Sequence, residues 1–511
     1  MTNRDGNLTS LWQDKARDFT STLLPTERHY DVAIAGGGIT GITTALLLQQ
    51  SGKSCIVFES RNLCFGTTGG TTAHLNTFLD TPYPKLIKNF GKDAARTVAR
   101  ATREAIILVT ELTSTLNIDC GFRETNGYII AQTEEEVEEL QSIHDACLDL
   151  GVDVAFISSL PTQIPARRIL MLRNQAAINP IEYVHGLAQA FERAGGVVMQ
   201  NCHVEDVDPG DKVRIETSQG TFYARSLVYA THIPPGINLL HLRCVPYRSY
   251  ALAIRLKSND YPEGLLYDMK DPYHYYRTQE IDGINYLIVG GEDHKTGSKS
   301  ETDSSFRSLE DHVREHFDVK EITHYWSSQF FESVDGLPYI GTLPGHTDNI
   351  LVATGYGGNG ITHSQIAALT LRARLMTGEE RYEGIFKPGR IKPVAGLPKF
   401  VQHNAGVAKQ LLRKMVGLDE LNGLDRLRPG EGAIVRLHDE KIAVCRDNDG
   451  MLHAVHPTCT HMGCTVVWNS AEQTWDCPCH GARYSMEGKV VNGPADKDLE
   501  QIILGEPVKG S

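Results

Sequence analysis

The apolar run at residues 32–35 passes directly into Gly36-x-Gly38-x-x-Gly41, and this stretch restricts the fold of the chain more tightly than any other. The run has the length of a buried parallel strand, and the glycines then turn the chain into a helix through residues 45–50. Each glycine answers a separate steric demand. Gly36 allows the tight turn, Gly38 lets backbone approach a pyrophosphate, and Gly41 lets helix pack on strand. The first helical turn, with Ile39 and Thr40, presents its unpaired N–H groups to the phosphates. A second strand over residues 54–58 ends at Glu59, at the distance where a carboxylate reaches a ribose hydroxyl. Strand, helix and acid in register point to a dinucleotide site rather than a plain glycine-rich turn.

The chain has 511 residues, enough for two to four domains. Its 41% hydrophobic and 22% charged residues, with 47 glycines, fit a soluble α/β protein rich in tight turns. A formal charge of -13 argues against nucleic acid, which rewards a basic face. Residues 1–28 are polar, without the apolar core of a secretory segment. No uncharged run approaches the length of a bilayer span. The expected compartment is therefore the cytoplasm. Of the 11 cysteines, those before residue 440 are scattered and read as small buried hydrophobes, whereas five crowd between Cys445 and Cys479.

Within the N-terminal lead-in (residues 1–29), residues 9–23 read as an amphipathic helix. After Glu59 comes Gly66-Thr67-Thr68-Gly-Gly-Thr71-Thr72-Ala-His74, small residues that can bring hydroxyls and N–H groups against a bulky planar ligand. Residues 92–116 and 133–150 carry the spacing of surface helices. Residues 177–194 read as a helix opened by Asn-Pro. Residues 196–199, 212–216 and 227–231 then return as strands of the nucleotide domain. Between residues 245 and 289 alternating strands carry Tyr247, Tyr250, Tyr267, Tyr273, Tyr275 and Tyr276, which suggests an antiparallel substrate layer over about 245–330. Most of these tyrosines are expected to be packing residues. Gly355-x-Gly357-x-x-Gly360, with Gly358 and Asn359 inside it, matches the dinucleotide pattern again, but no strand-ending acid follows at the right distance. Its helix N-terminus would instead offer positive potential to a ring that becomes anionic on reduction.

Residues 36–41, Glu59, residues 66–74, Asp335-Gly-Leu-Pro and Ala353-Thr-Gly-Tyr-Gly-Gly-Asn-Gly together resemble the D-amino-acid oxidase-like family of FAD-dependent oxidoreductases, over about residues 30–380 of a domain expected at 30–383. The resemblance implies that the first motif holds the ADP half of FAD and that the late glycine turn lies beside the isoalloxazine. It also implies an amine or amino-acid substrate, oxidised by hydride loss from the carbon next to nitrogen. His74 falls where dimethylglycine and sarcosine dehydrogenases attach FAD to a histidine. The neighbouring residues differ, so covalent attachment stays open.

Residues 384–418 hold Lys387, Arg390, Lys392, Lys399, Lys409, Arg413 and Lys414 and no acid. An apolar stripe gives this stretch (384–420) the pattern of a basic linker helix packed against its own protein. Peripheral contact with an anionic membrane is the alternative.

Cys459-x-His461 and Cys477-x-x-His480 each pair one cysteine with one histidine. Zinc fingers group their cysteines and histidines separately. The mixed halves let one iron take two thiolates and the other two imidazoles, the Rieske [2Fe-2S] arrangement. Residues 421–511, down to Gly493-Pro-Ala, resemble the Rieske domains of cytochrome bc complexes. That resemblance makes Cys459 and Cys477 thiolate ligands, His461 and His480 imidazole ligands, and Cys464 and Cys479 a disulfide between the loops. Cytosolic disulfides are rare, so two free thiols are the alternative. Tyr484 occupies the position of a tyrosine that donates to a ligand sulfur. Ala482 replaces the serine that does the same for a bridging sulfide in high-potential members.

The expected architecture is an α/β Rossmann-like FAD-binding domain with an antiparallel β substrate layer, followed by a small all-β Rieske domain. The order resembles bacterial FAD-dependent oxidoreductases with a C-terminal Rieske domain. FAD accepts an electron pair and a Rieske cluster carries one electron, so the expected function is a dehydrogenase with an external acceptor, protein or quinone. An NAD(P)H- or protein-fed reductase and a non-enzymatic redox sensor are the alternatives. Hydride transfer from an amine requires no acid-base pair. Arg248, Tyr250, Tyr276 and Arg277 are the candidate substrate contacts.

Overall fold

The computed structural model describes residues 6–160, 162–299, 301–390, 399, 402–407, 427–437 and 440–504. The first strand spans His29–Ala35 and lies parallel to Cys55–Phe58 on one side and Gly220–Tyr229 on the other. Val197–Met199 and Ile350–Thr354 extend the parallel core outward. Strands buried on both faces read as unbroken apolar runs, and Cys55–Phe58 is buried throughout. Antiparallel Tyr339–Thr342 closes one edge, and the hairpin Val204–Asp208 with Val213–Thr217 completes eight strands. Helix Ile39–Gln50 packs against both Pro180–Arg193 and Gly360–Thr377. Asn179 caps Pro180–Arg193 through the N–H groups of Ile181 and Glu182.

The second layer is a nine-stranded sheet in which Val319–Ser333 forms one edge, followed by Cys244–Leu256 and Ile284–Lys295. It is wider than the expected 245–330 and not wholly antiparallel. Arg123–Ala131, Val154–Ile157, Arg168–Ala177 and His74–Leu75 join it, and Leu265–Asp268 runs parallel to Arg123–Ala131. Leu265–Asp268 is buried at every residue, so it needs a partner on both edges.

Of the lead-in helix expected over 9–23, only Leu11–Lys15 is helical. Beyond it, Ser21 and Thr22 hydrogen-bond to the Glu192 carboxylate. These side-chain and N–H bonds hold the segment against the body in place of a helical ladder. The expected surface helices are Lys92–Thr115 and Glu134–Leu150, the latter opened by a Thr133/Glu136 capping box. Most of the stretch 384–420 lies outside the described residues. Within it, Arg390 forks onto Asp335 at 2.7 and 2.8 Å, and Lys399 pairs with Glu332.

The C-terminal part folds as two small antiparallel sheets. Gly432–Leu437, Glu440–Arg446 and Leu452–Val455 form one; Val467–Asn469, Thr474–Asp476, Arg483–Tyr484 and Val490–Asn492 form the other. Glu472 joins this unit to the rest. Its buried carboxylate accepts from Ser327 N at 3.0 Å and Ser327 Oγ at 2.6 Å, and lies 3.6 Å from Arg248 Nη2. Gln329 Nε2 donates to Gly481 O at 2.8 Å across the same junction. Among the described residues no helix is long and apolar enough to cross a membrane.

Candidate functional site

The glycine cradle opens on a cavity of about 710 Å³ that runs between the two large sheets. Gly36, Gly38, Ile39, Thr40 and Glu59 line one end. A Cβ on Gly41 would stand 1.9 Å from Gly36 O, so this glycine serves packing rather than lining. Glu59 accepts Gly37 N–H at 2.7 Å and Arg61 N–H at 2.9 Å. Burial pushes its carboxyl up, and these two donors offset that only in part. Thr67, Thr68, Thr71, Thr72 and His74 line the middle, and Gly357, Gly358, Asn359 and Gly360 line the far wall at a helix N-terminus. Gly355 does not line it. With φ at +74° it makes the turn that presents the others.

At the far end stand groups that no sequence motif marks. Asp80 accepts Gly358 N–H at 2.6 Å, and the protein around it pushes its carboxyl up to about 6. Asp293, buried and close to Asp80's charge, is pushed up to about 7. A break in register between Arg248 and Tyr250, with Glu292 at φ +59°, forms the bulge beside which Ser249 and Asp293 line the cavity. Of the six tyrosines expected mainly to pack, Tyr250, Tyr267, Tyr273 and Tyr275 line the cavity, against that expectation. His74 Nδ1 meets Tyr267 Oη at 3.0 Å, while its Nε2 is buried without a partner; burial holds its pKa well below the usual imidazole range.

The four proposed cluster ligands lie on two loops. Cys459 and Cys477 are buried, and the His461 and His480 rings stand 5.0 Å apart between centroids. Cys464 and Cys479 form a disulfide between the loops. His461 Nδ1 and both nitrogens of His480 are buried without partners. Buried polar atoms of this kind are costly alone, and metal ligation satisfies them. The donor set therefore fits a group held by two thiolates and two imidazoles. His461 Nε2 is 3.1 Å from both Gly236 O and His241 Nδ1.

Residues 31–374 match the family model described as FAD dependent oxidoreductase, and residues 421–502 match the Rieske [2Fe-2S] domain. The chain belongs to the FAD-dependent oxidoreductase family and carries a Rieske domain. It is 35% identical over 494 residues to the Rieske 2Fe-2S iron-sulfur protein YhfW of Bacillus subtilis, covering 95% of this chain and 97% of that one. Gamma-glutamylputrescine oxidoreductase of Escherichia coli is 22% identical over 69% of this chain and 85% of its own length. The solved glycine oxidase from Geobacillus kaustophilus shares the fold, with a TM-score of 0.58 at 22% identity, over 69% of this chain and 96% of that one.

The family binds FAD, and the cavity of this oxidoreductase suits it: glycines at both ends leave room where a Cβ would intrude, and a helix N-terminus stands at each. Three of the four candidate substrate contacts do not line it. Arg248 is engaged by Ser327 Oγ at 3.0 Å and by Glu472. Arg277 lies behind the 71–73 loop, donating to Ala73 O at 2.6 Å and Ile178 O at 3.0 Å. Tyr276 points to the opposite sheet face from Tyr275, against His312. Tyr250 does line the cavity, but its hydroxyl is 2.9 Å from His294 Nε2.

Tyr484 Oη lies 3.2 Å from Cys459 Sγ and also accepts Thr460 N–H. Thr460 Oγ1 donates to Lys497 O, so toward Tyr484 Oη at 3.0 Å it can only accept, and the Cys459 thiolate, the stronger acceptor, competes with it for the Tyr484 proton. Ala482, fully buried, has no hydroxyl to offer. Hydrogen bonds to sulfur favour the reduced cluster. Tyr484→Phe is therefore expected to lower the midpoint potential and Ala482→Ser to raise it, each by tens of millivolts, since about 1.4 kcal/mol corresponds to about 59 mV for one electron. A redox titration followed by electron paramagnetic resonance reads both shifts; unchanged potentials in the two variants would remove this account of the tuning.

Proposed function

We propose that this protein is a dehydrogenase that oxidises a C–N bond of a small amine or amino acid at FAD and passes electrons singly through the Rieske cluster to an external acceptor, a protein or a quinone. One observation carries the reading. His461, a proposed cluster ligand, shares its Nε2–H between Gly236 O and His241, and Gly236 lines the cavity of the glycine cradle together with Ile233 and Pro235. A proposed ligand of the one-electron carrier thus touches the wall of the two-electron site. Asn492, Gly493 and Asp496 line the same cavity, so the Rieske domain closes part of it.

When bound, FAD supplies a hydride acceptor and the cluster a one-electron carrier. In the oxidation the C–H bond beside nitrogen breaks, the hydrogen leaves with both electrons, and the nitrogen lone pair forms the C=N bond. The chain's own part is to orient the substrate between residues 71–74 and residues 273–275, where the strand Tyr275–Ile281 begins, and to exclude water. Amine and amino-acid oxidation by the named relatives supports this substrate class. We place the protein in the cytoplasm. Its Cys464–Cys479 disulfide is buried, where a reducing thiol has poor access.

Anaerobic mixing of the holoprotein with secondary amines and amino acids is the test. Flavin bleaching followed by the paramagnetic signal of a reduced cluster is the expected result. Bleaching by NADH with no response to any amine or amino acid would replace this reading with a reductase.

A further inference from the structure

The far end of the cavity combines two carboxylates with aromatic faces and, among the described lining residues, no cation; Lys399, whose charge reaches Asp80, is not part of the lining and pairs with Glu332. Asp80 and Asp293 line it, and a Cβ on Gly358 would come within 3.1 Å of Asp80 Oδ2 and 3.3 Å of Tyr273 Oη, which puts acid and phenol at one spot. The Tyr273 and Tyr275 rings lie 5.5 Å apart, and His74 stands edge-on to Tyr275 at 5.4 Å and to Tyr267 at 5.3 Å. Among the described lining residues the only arginine is Arg61, which sits at the opposite end beside Glu59, and there is no lysine. Asp293 Oδ1 is buried without a hydrogen-bond partner, while Ser249, close enough to hold the Asp293 carboxyl down somewhat, bonds to Tyr275 at 2.8 Å.

We propose that this end selects a cationic amine with no carboxylate beside the reacting carbon, its ammonium held by Asp293 and Asp80 within the faces of Tyr267, Tyr273 and Tyr275. An α-carboxylate would need a guanidinium or ammonium partner and would meet two acids instead. An ammonium supplies the donor that Asp293 Oδ1 lacks, and aromatic faces attract it through the ring quadrupole. Burial and Asp80's charge hold Asp293 near the neutral range, as fits a carboxyl whose compensating charge arrives with its ligand. The bound ammonium gives one proton to the Asp293 carboxylate. That leaves a neutral amine whose carbon beside nitrogen could give up hydride, with FAD when bound as the acceptor, and the amine would become an iminium ion. This assignment rests on the C–N oxidation proposed above and narrows its substrate.

The test uses the anaerobic holoprotein and three probes: tetramethylammonium, N-methylbutylamine and sarcosine, the last being a secondary amine that carries a carboxylate. Perturbation of the flavin spectrum reads binding, and bleaching reads oxidation. Expected are binding of both cations, bleaching by N-methylbutylamine, no response to sarcosine, and cation affinity at least tenfold weaker in both Asp293→Asn and Asp80→Asn. Sarcosine binding more tightly than the amines, or unchanged cation affinity in both variants, overturns the assignment. Bleaching by sarcosine alone would leave C–N oxidation standing while this substrate class falls. Aspartate-dependent cation binding without bleaching would do the reverse. No binding of any probe would end the assignment.

Discussion

Cys459→Ser is expected to give a folded flavoprotein without a cluster. Serine is a poor iron ligand at neutral pH, because it lacks the readily formed thiolate that Cys459 offers. Changing a residue that merely supports a metal ligand costs about 10–100-fold in metal affinity, and loss of the ligand itself costs more. The Rieske fold has other supports: the Cys464–Cys479 disulfide and the buried Asp476–Arg483 pair remain. Iron and labile sulfide should fall to background and the reduced-cluster signal should vanish. The flavin should still be bleached by substrate, while turnover with a one-electron acceptor is lost. Stoichiometric iron in this variant would mean that Cys459 is not a ligand.

Glu472→Ala is expected to uncouple the Rieske domain from the flavin domain. The Glu472 carboxylate gathers Ser327 N, Ser327 Oγ, Leu8 N and the Arg248 guanidinium, all from outside the Rieske sheets. Removing it takes from the buried Arg248 one of the two carboxylates that act on it and leaves Asp476, which also pairs with Arg483 at 3.2 Å. Breaking a buried pair in this way costs about 3–5 kcal/mol. A lower thermal midpoint and slower appearance of the reduced-cluster signal after flavin bleaching are the expected results. Glu472→Gln, which keeps an acceptor for Ser327, should lose less. Wild-type melting together with wild-type transfer in the alanine variant would show that the junction carries neither stability nor electron flow.

The glycine turn and the Cys-x-His pair were legible because each is a local device. The positions of Gly36, Gly38 and Gly41 relative to a strand and helix follow from chain geometry over a few residues, and so does the alternation of cysteine with histidine across two loops. Family matches over residues 31–374 and 421–502 agree with both. The buried strand Cys55–Phe58 was equally plain, since burial on both faces leaves an unbroken apolar run.

Other features needed the folded chain. Residues 9–23 have helical spacing, yet Glu192 captures Ser21 and Thr22 from a distant helix and only Leu11–Lys15 coils. Arg248 and Arg277 carry the chemistry of substrate contacts, but packing turned them onto Glu472 and onto backbone carbonyls.

From its order of residues alone, this chain determined a dinucleotide cradle, a late glycine turn and a two-cysteine, two-histidine cluster motif, because those patterns are set within one turn or loop. Tertiary structure decided what the cavity holds at its far end and what touches the cluster. Asp80 and Asp293 come to one cavity only when a bulge in the nine-stranded sheet faces the loop that follows His74–Leu75, and His461 reaches Gly236 and His241 only once two domains are docked. Charge and hydrogen bonding act through space, so pairings made across hundreds of residues leave no local pattern to read.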